Sequence, residues 1–283
     1  RCANLFPGTW QSQSRTTNLP GLNDDDMREL DEELAPYWRE QKRFVSWHYG
    51  HNIHNMKRVM EEGFLVMKKE AEDRLAGLDL NDPDDMKKQP FLEGAVLVLE
   101  AASEIGKRYA ARAREMAETE ADSGRRAELL EIADICDRVP EQPATSFKEA
   151  LQSYHFSWMM LTMELYHNIA FALGRMDQYL LPFYENDLAE GRLTKEDVQE
   201  LLDCYILKLN YVANGNQSTS GSIGIGGYKA DGNDATNDLT YMFLESMMHT
   251  RMVNPWFAVL IHSKSPDDLL IKTAELTALE TGH

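Results

Sequence analysis

Hydrophobic side chains recur every three or four residues along most of this chain, a spacing typical of amphipathic α-helices. A long alanine-rich stretch is charged on one side only, which predicts an outer helix that packs by one face. The predicted helical segments are 24–47, 52–75, 91–120, 125–139 and 239–251, with further helices beginning near 83, 145 and 194. The chain is therefore predicted to be mostly helical.

Only two segments favour β-strands. In 218–227, Ile223 and Ile225 alternate with small residues, and 256–262 is a short apolar run. The helix 239–251 lies between them, which gives the order strand, helix, strand. That order is typical of one piece of a barrel wall with its covering helix.

Composition and charge narrow the possible partners. The 283 residues are 43% hydrophobic, enough for a sizeable core, and the formal net charge is −18. Such a surface repels phosphate, which argues against nucleic acid and anionic membranes as partners. The cysteines Cys2, Cys136 and Cys204 are odd in number and widely spaced, as in a reducing compartment. Cys136 and Cys204 both fall within helical patterns and are interpreted as structural.

The ends of the chain lead to an expectation about its extent. No apolar run approaches the ~20 residues of a membrane-spanning helix, and no signal-peptide pattern opens the chain. We therefore expect a soluble, cytoplasmic protein. The chain starts at Arg1 without an initiator Met and stops at His283 directly after a helical pattern, so we expect a fragment.

Several local patterns suggest chemistry but are better explained otherwise. The histidines His48, His51 and His54 are three apart, yet the third rotates away on a helix and no Cys or carboxylate stands at ligand spacing, so no metal is expected. The glycine-rich run 221–227 lacks the lysine and the spacing of a phosphate-binding loop. No hydrolase motif is present. Arg175 and Asp177 are predicted to fix a turn by salt bridging and backbone hydrogen bonds.

Two longer motifs carry a resemblance to a known family. Residues 167–184 place Gly-Arg-Met-Asp-Gln-Tyr between two apolar runs, and 225–241 contains Gly-Gly-Tyr followed by Asp-Gly-Asn-Asp-Ala-Thr-Asn. Both closely resemble segments of the glycyl radical enzymes, the pyruvate formate-lyase superfamily. Weaker similarity at 50–63 and 128–152 extends the resemblance over most of the chain.

The resemblance implies an α/β fold, the amino-terminal part of a ten-stranded barrel, with 1–283 as a single partial domain that is predominantly helical. It also implies a glycyl radical, installed by a radical-SAM activating enzyme on a residue outside this chain. The catalytic cysteine segment and the radical-bearing glycine loop of such enzymes have no counterpart here. We therefore expect no catalytic residue and no metal in this chain, and no turnover by it alone.

Departures from the family pattern suggest a subfamily. Members that dehydrate diols place His and Ser where this chain has Ile169 and Ala170, and Leu260 stands at a common Arg position. An apolar pocket would gain from such residues, whereas a hydroxyl would lose its partners. The resemblance is then to alkylsuccinate and benzylsuccinate synthases, which add a hydrocarbon to fumarate. Accessory subunits and a homodimer of the catalytic subunit are further implied partners.

The sequence is also compatible with two functions other than fumarate addition. Within the family, the chain is also compatible with another glycyl radical lyase, an arylacetate decarboxylase or a diol dehydratase-like enzyme. Outside enzymes, a helical interaction scaffold explains the acidic, helix-rich composition but not the two motifs. The residues expected to contact substrate are Ile169, Ala170, Ser220, Ser222, Gly224 and His51. On the strand, the small residues are expected to face the cavity and the isoleucines the surrounding helices.

Overall fold

The computed structural model describes residues 54–164, 172–212, 222–252 and 254–279, all within one compact unit, His51–His283. In this part of the chain the helices are α1 Met56–Ala76, α2 Pro83–Thr119, α3 Ser123–Arg138, α4 Phe147–Glu164, α5 Met176–Tyr179, α6 Leu181–Ala189, α7 Lys195–Val212, α8 Asp238–Thr250 and α9 Asp267–Ala278; the strands are β1 Ser222–Gly226 and β2 Trp256–Leu260. The predominance of helix is confirmed. The predicted helix 24–47 lies outside the described residues. No described helix has the length and apolar character needed to cross a membrane.

Helices begin where the sequence supplies capping side chains. Asp82 accepts a hydrogen bond from the backbone N–H of Asp84 and is followed by Pro83 at the first helical position. From there α2 runs through Pro90 as one 37-residue helix, so the segments predicted to begin at 83 and 91 are continuous. Asn237 caps α8 in a capping box with Thr240.

The long helix α2 packs by one face, as predicted. Its buried face consists mostly of small residues, which let α1 and α3 approach closely; they include Ala102, Gly106, Ala110, Ala113 and Ala117. On α3, Cys136 is buried, and burial raises the pKa of its thiol to about 11. Cys204 lies on α7, as the helical pattern predicted, and is exposed. Cys2 lies outside the described residues.

The main core lies between the helices and one face of the small sheet. Its largest fully buried side chains include Trp158, Tyr154 and Phe147 of α4 and Phe243 of α8. The amino terminus of α4 is held by a distant carboxylate, because the backbone N–H of Phe147 donates to Asp187 Oδ2 at 2.9 Å. This core fixes α4, α7 and α8 around β1.

The two strands are parallel and joined by α8, which confirms the predicted strand–helix–strand unit. In their register Ile223 lies opposite Phe257 and Ile225 opposite Val259. Both isoleucines are fully buried in the core with the helices, while Ser222 and Gly224 remain partly exposed. The alternation predicted for β1 is thereby confirmed over 222–225, while Gly226 is buried as well; that the small residues face a substrate cavity stays a prediction. Residues 218–221 lie outside the described part, and β2 ends at Leu260 rather than at 262.

Helix α1 contains a kink at Gly63, where φ is 75° and ψ is 168°. The kink frees backbone groups to bond the segment after α3: Phe64 N–H donates to Pro140 O at 2.9 Å and Leu65 N–H to Glu141 O at 3.0 Å. In return, Ala144 N–H donates to Met60 O at 2.8 Å. A Cβ on Gly63 would lie 2.5 Å from Glu141 O, so only glycine fits here.

Candidate functional site

The candidate site lies at the carboxyl end of β1, where the two motifs of the sequence meet. Gly174, at φ 70°, bridges in parallel to Ile223 at the side of the strand. Leu173 N–H donates to Ser222 O at 2.8 Å, and Gly224 N–H donates to Gly174 O at 2.9 Å. The Gly-Arg turn is thus attached to β1 before α5 begins.

Arg175 binds the backbone beyond the end of the strand. Its Nη1 donates to Tyr228 O at 2.8 Å, and its Nη2 donates to Gly226 O at a shorter distance. Among the described residues its Nε is buried without a hydrogen-bond partner. Because the planar guanidinium group binds two carbonyl oxygens at once, it fixes the direction in which the Gly226–Gly227 backbone leaves the sheet.

Asp177 binds the same backbone segment and is fully buried. Its Oδ2 accepts hydrogen bonds from Gly226 N–H and from Thr240 Oγ1, both at 2.8 Å. Burial raises the pKa of this carboxyl above its ordinary value, and these hydrogen bonds act in the opposite direction. Within the described part of the chain, Oδ1 has no partner.

Gln178 completes the arrangement, since its Nε2 donates to Ala235 O at 2.9 Å. We refer to Arg175, Asp177 and Gln178, with the backbone of 226–235 that they bind, as the Arg-Asp-Gln clamp. The predicted structural role of Arg175 and Asp177 is confirmed as far as the backbone hydrogen bonds are concerned. The predicted salt bridge is not among the ion pairs of the described residues; each side chain binds the 226–240 segment instead.

His262 holds the same loop from the end of β2. Its Nε2 lies 3.0 Å from Gly227 O and 3.1 Å from Asp234 Oδ1, and its Nδ1 accepts from Lys264 N–H at 3.0 Å. These partners assign a neutral ring with the proton on Nε2. The ring stacks on Tyr228 with centroids 3.7 Å apart. The sequence indicated only that His262 ends an apolar run, because its partners are distant along the chain.

Only two of the residues predicted to contact substrate belong to the described part of the chain. Ser222 and Gly224 lie on the partly exposed face of β1, and a Cβ on Gly224 would lie 3.7 Å from Arg175 Cγ. Ile169, Ala170, Ser220 and His51 lie outside the described residues, so their roles stay predictions. Burial lowers the pKa of His54, and no metal-binding group of three or more side chains occurs in the described part of the chain.

Chemically, the clamp is a positioning device. Its side chains engage backbone carbonyl and amide groups, and the small residues Ser222 and Gly224 stay partly exposed, Gly224 beside the Arg175 stem. Nothing in the clamp resembles a nucleophile with an adjacent base. The clamp thereby fixes the backbone at the carboxyl end of β1.

Replacing Arg175 by Met is expected to lower the free energy of local opening of the loop 226–235 by about 2–3 kcal/mol, because two charge-assisted hydrogen bonds are lost at once. Hydrogen exchange followed by mass spectrometry would then show amides of 226–235 exchanging at least about tenfold faster. Arg112→Met, on the exposed side of α2, is the matched control and should change nothing in that loop. Equal exchange in both variants would contradict the clamp.

Known proteins resemble the chain in fold. A solved structure from a study of 1,2-propanediol dehydration in Roseburia inulinivorans superposes with a TM-score of 0.80 and 31% identity, covering 91% of this chain and 36% of that one. Curated proteins are similar in sequence as well, two of which illustrate the range. Isethionate sulfite-lyase of Nitratidesulfovibrio vulgaris is 40% identical over 235 residues, 79% of this chain and 28% of that protein. Trans-4-hydroxy-L-proline dehydratase of Clostridioides difficile is 36% identical over 236 residues, which are 77% of this chain and 29% of that protein.

These similarities correct the predicted subfamily. The relatives are a sulfite-lyase and dehydratases, so the prediction of a C–C bond-forming, fumarate-adding synthase is wrong, and the hydrocarbon and fumarate partners lose their support. The alternative of a dehydratase-like glycyl radical lyase fits better. The wrong prediction rested on Ile169, Ala170 and Leu260, although other positions of a pocket can supply hydrogen bonds to a hydroxyl.

The chain spans less than a third of the length of both curated relatives, at 28% and 29%. The described residues contain one two-stranded parallel sheet, β1 with β2, so the ten-stranded barrel stays a prediction. A family model with the description "Pyruvate formate lyase-like" matches residues 44–283. This chain belongs to that family, within the glycyl radical enzyme superfamily.

Proposed function

We propose that this chain is part of a glycyl radical lyase that removes a small leaving group, sulfite or water, from a small hydroxylated substrate. The observation that carries the proposal is the similarity to isethionate sulfite-lyase, which covers most of the chain. The similarity to a dehydratase and to a diol-dehydrating structure supports the same class of elimination. The activity is proposed for the whole protein.

In this proposal the chain supplies part of the substrate cavity wall. Ser222 and Gly224 present little bulk on the partly exposed face of β1, where a compact substrate is proposed to lie. The Arg-Asp-Gln clamp keeps that wall in place through its bonds to Gly226 and Ala235. Preorganisation of this kind holds a substrate in a reactive geometry without reorganisation during the reaction.

The other predicted substrate contacts are assigned by the chemistry of their side chains. Ile169 and Ala170 are proposed to line the apolar side of a small substrate, and His51 and Ser220 to offer polar contacts. Enzymes of this superfamily use a glycyl radical installed by a radical-SAM activating enzyme, so such an activase is the expected protein partner. A cytoplasmic location is part of the same proposal.

The test is an anaerobic assay of the complete gene product after activation by a radical-SAM enzyme with S-adenosylmethionine and a reductant. Electron paramagnetic resonance first verifies that a glycyl radical is present. Isethionate, 1,2-propanediol, glycerol and trans-4-hydroxy-L-proline are then supplied separately. We expect one of them to release sulfite or to yield a dehydrated product. A protein that carries the radical but leaves all four unchanged, or that instead consumes fumarate with toluene, would overturn the proposal.

A further inference from the structure

Strand β2 has one face on the core and one face away from it. Phe257 and Val259 are half-buried and pack against the main core. Trp256, Ala258 and Leu260 are exposed. Side chains of a strand alternate between its two faces, so these three residues share the face opposite the core. Leu260 lies at the carboxyl end of the strand, the end at which parallel α/β folds hold their ligands.

Pairing with β1 places Leu260 on the same face as the proposed substrate wall. Leu260 is the partner of Gly226, and Ala258 is the partner of Gly224. Residues paired across neighbouring strands point to the same side of a pleated sheet. Ser222 and Gly224 therefore share this face with Leu260, which adds a large apolar side chain to a wall of small residues.

The side chain of Leu260 also borders the Arg-Asp-Gln clamp. A Cβ on Gly227 would lie 3.0 Å from Leu260 Cβ and 3.1 Å from Leu260 Cδ1. The same Cβ would lie 3.7 Å from Arg175 Nη2, so the leucine and the guanidinium group both flank Gly227. A single exposed leucine is common on protein surfaces. Leu260 differs because its exposed part lies beside the clamp, on the face proposed to hold substrate.

An apolar side chain at this place favours a substrate that carries a hydrocarbon group. Covering one methyl group contributes about 0.8 kcal/mol, which is about fourfold in affinity. A hydroxyl or sulfonate group placed against a leucine would instead lose hydrogen bonds to water. Both carbons of isethionate carry polar groups, whereas 1,2-propanediol has a methyl group beside its two hydroxyl-bearing carbons.

We propose that Leu260 determines specificity by covering a hydrocarbon group of the substrate. The enzyme thereby selects a small diol with an alkyl group over a substrate with polar groups at both ends. This inference rests on the proposed lyase function, because it takes the face that carries Ser222 and Gly224 as the wall of the substrate cavity.

Ligand binding to the complete gene product before radical activation tests the contact without turnover. 1,2-Propanediol and ethylene glycol differ by one methyl group, and saturation-transfer NMR titrations give the dissociation constant of each. We expect the parent protein to bind propanediol about fourfold more tightly, and Leu260→Ala to bind the two diols about equally. Leu260→Met should keep the preference. Leu130→Ala is the matched control, since Leu130 on α3 is 44% exposed and Leu260 43%.

Kinetics of the activated protein separate this inference from the proposed function. With propanediol as substrate, Leu260→Ala should raise KM about fourfold at an unchanged kcat and an unchanged glycyl radical signal. Absence of diol binding, equal affinity of the parent protein for both diols, or a preference unaffected by Leu260→Ala would each overturn the inference. A radical-bearing protein that keeps the preference dependent on Leu260 but turns over no substrate would overturn the lyase function alone.

Discussion

Replacing Gly63 by Ala should lower the free energy needed to open the contact between α1 and the segment 140–144 by about 3–5 kcal/mol. The backbone at φ 75° and ψ 168° lies in a region populated essentially by glycine, which alone costs about 1–3 kcal/mol for another residue. A Cβ would also lie 2.5 Å from Glu141 O and 2.6 Å from the carbonyl carbon of Gln142. Both are backbone atoms, so the clash cannot be relieved by turning a side chain.

Hydrogen exchange of the complete gene product measures this loss directly. The amides of Phe64, Leu65 and Ala144, which bond across the contact, should exchange at least about a hundredfold faster. Gly94→Ala is the matched control, since Gly94 lies inside α2 and a Cβ there meets nothing within 4 Å. It should stabilise α2 by roughly 0.5–1 kcal/mol. Similar effects of the two substitutions would contradict the argument from strain and clash.

The contrast between these glycines shows what the sequence can and cannot reveal. Helix existence and several helix ends were predictable, because side-chain periodicity and capping residues such as Asp82 and Asn237 act locally. The Gly63 kink was not, because its cause is the backbone near Pro140, far away in the chain. Likewise nothing local indicated that Pro90 would be accommodated inside α2.

The candidate site was predictable to a similar extent. The motif at 174–179 was correctly interpreted as a fixed junction, but the expected pairing of Arg175 with Asp177 was not found among the described residues. Each group instead binds the Gly226 backbone, a pairing that depends on β1 lying beside Gly174. The subfamily was wrongly predicted because three apolar side chains describe only part of a pocket, and substrate choice depends on all of it.

Asp177 has the second-largest expected effect because it is the buried centre of the clamp. Asp177→Ala removes the acceptor of both the Gly226 N–H and the Thr240 hydroxyl. Each buried group left without a partner costs about 1–3 kcal/mol, so local opening should become easier by about 3–5 kcal/mol. Exchange of amides in 226–240 should accelerate a hundredfold or more. Asp134→Ala, an exposed carboxylate on α3, is the control and should leave that region unchanged.

The pH dependence separates the hydrogen bonds of Asp177 from its charge. Because burial raises the pKa of this carboxyl, the folded state binds its proton more tightly than the unfolded state does. Its contribution to stability is therefore greatest below its ordinary pKa and declines as pH rises through the raised value. Asp177→Asn keeps one oxygen as acceptor but cannot titrate. It should retain most of the protection lost in Asp177→Ala and remove this pH dependence from the opening of 226–240; a profile unchanged by Asp177→Asn would show that another group causes it.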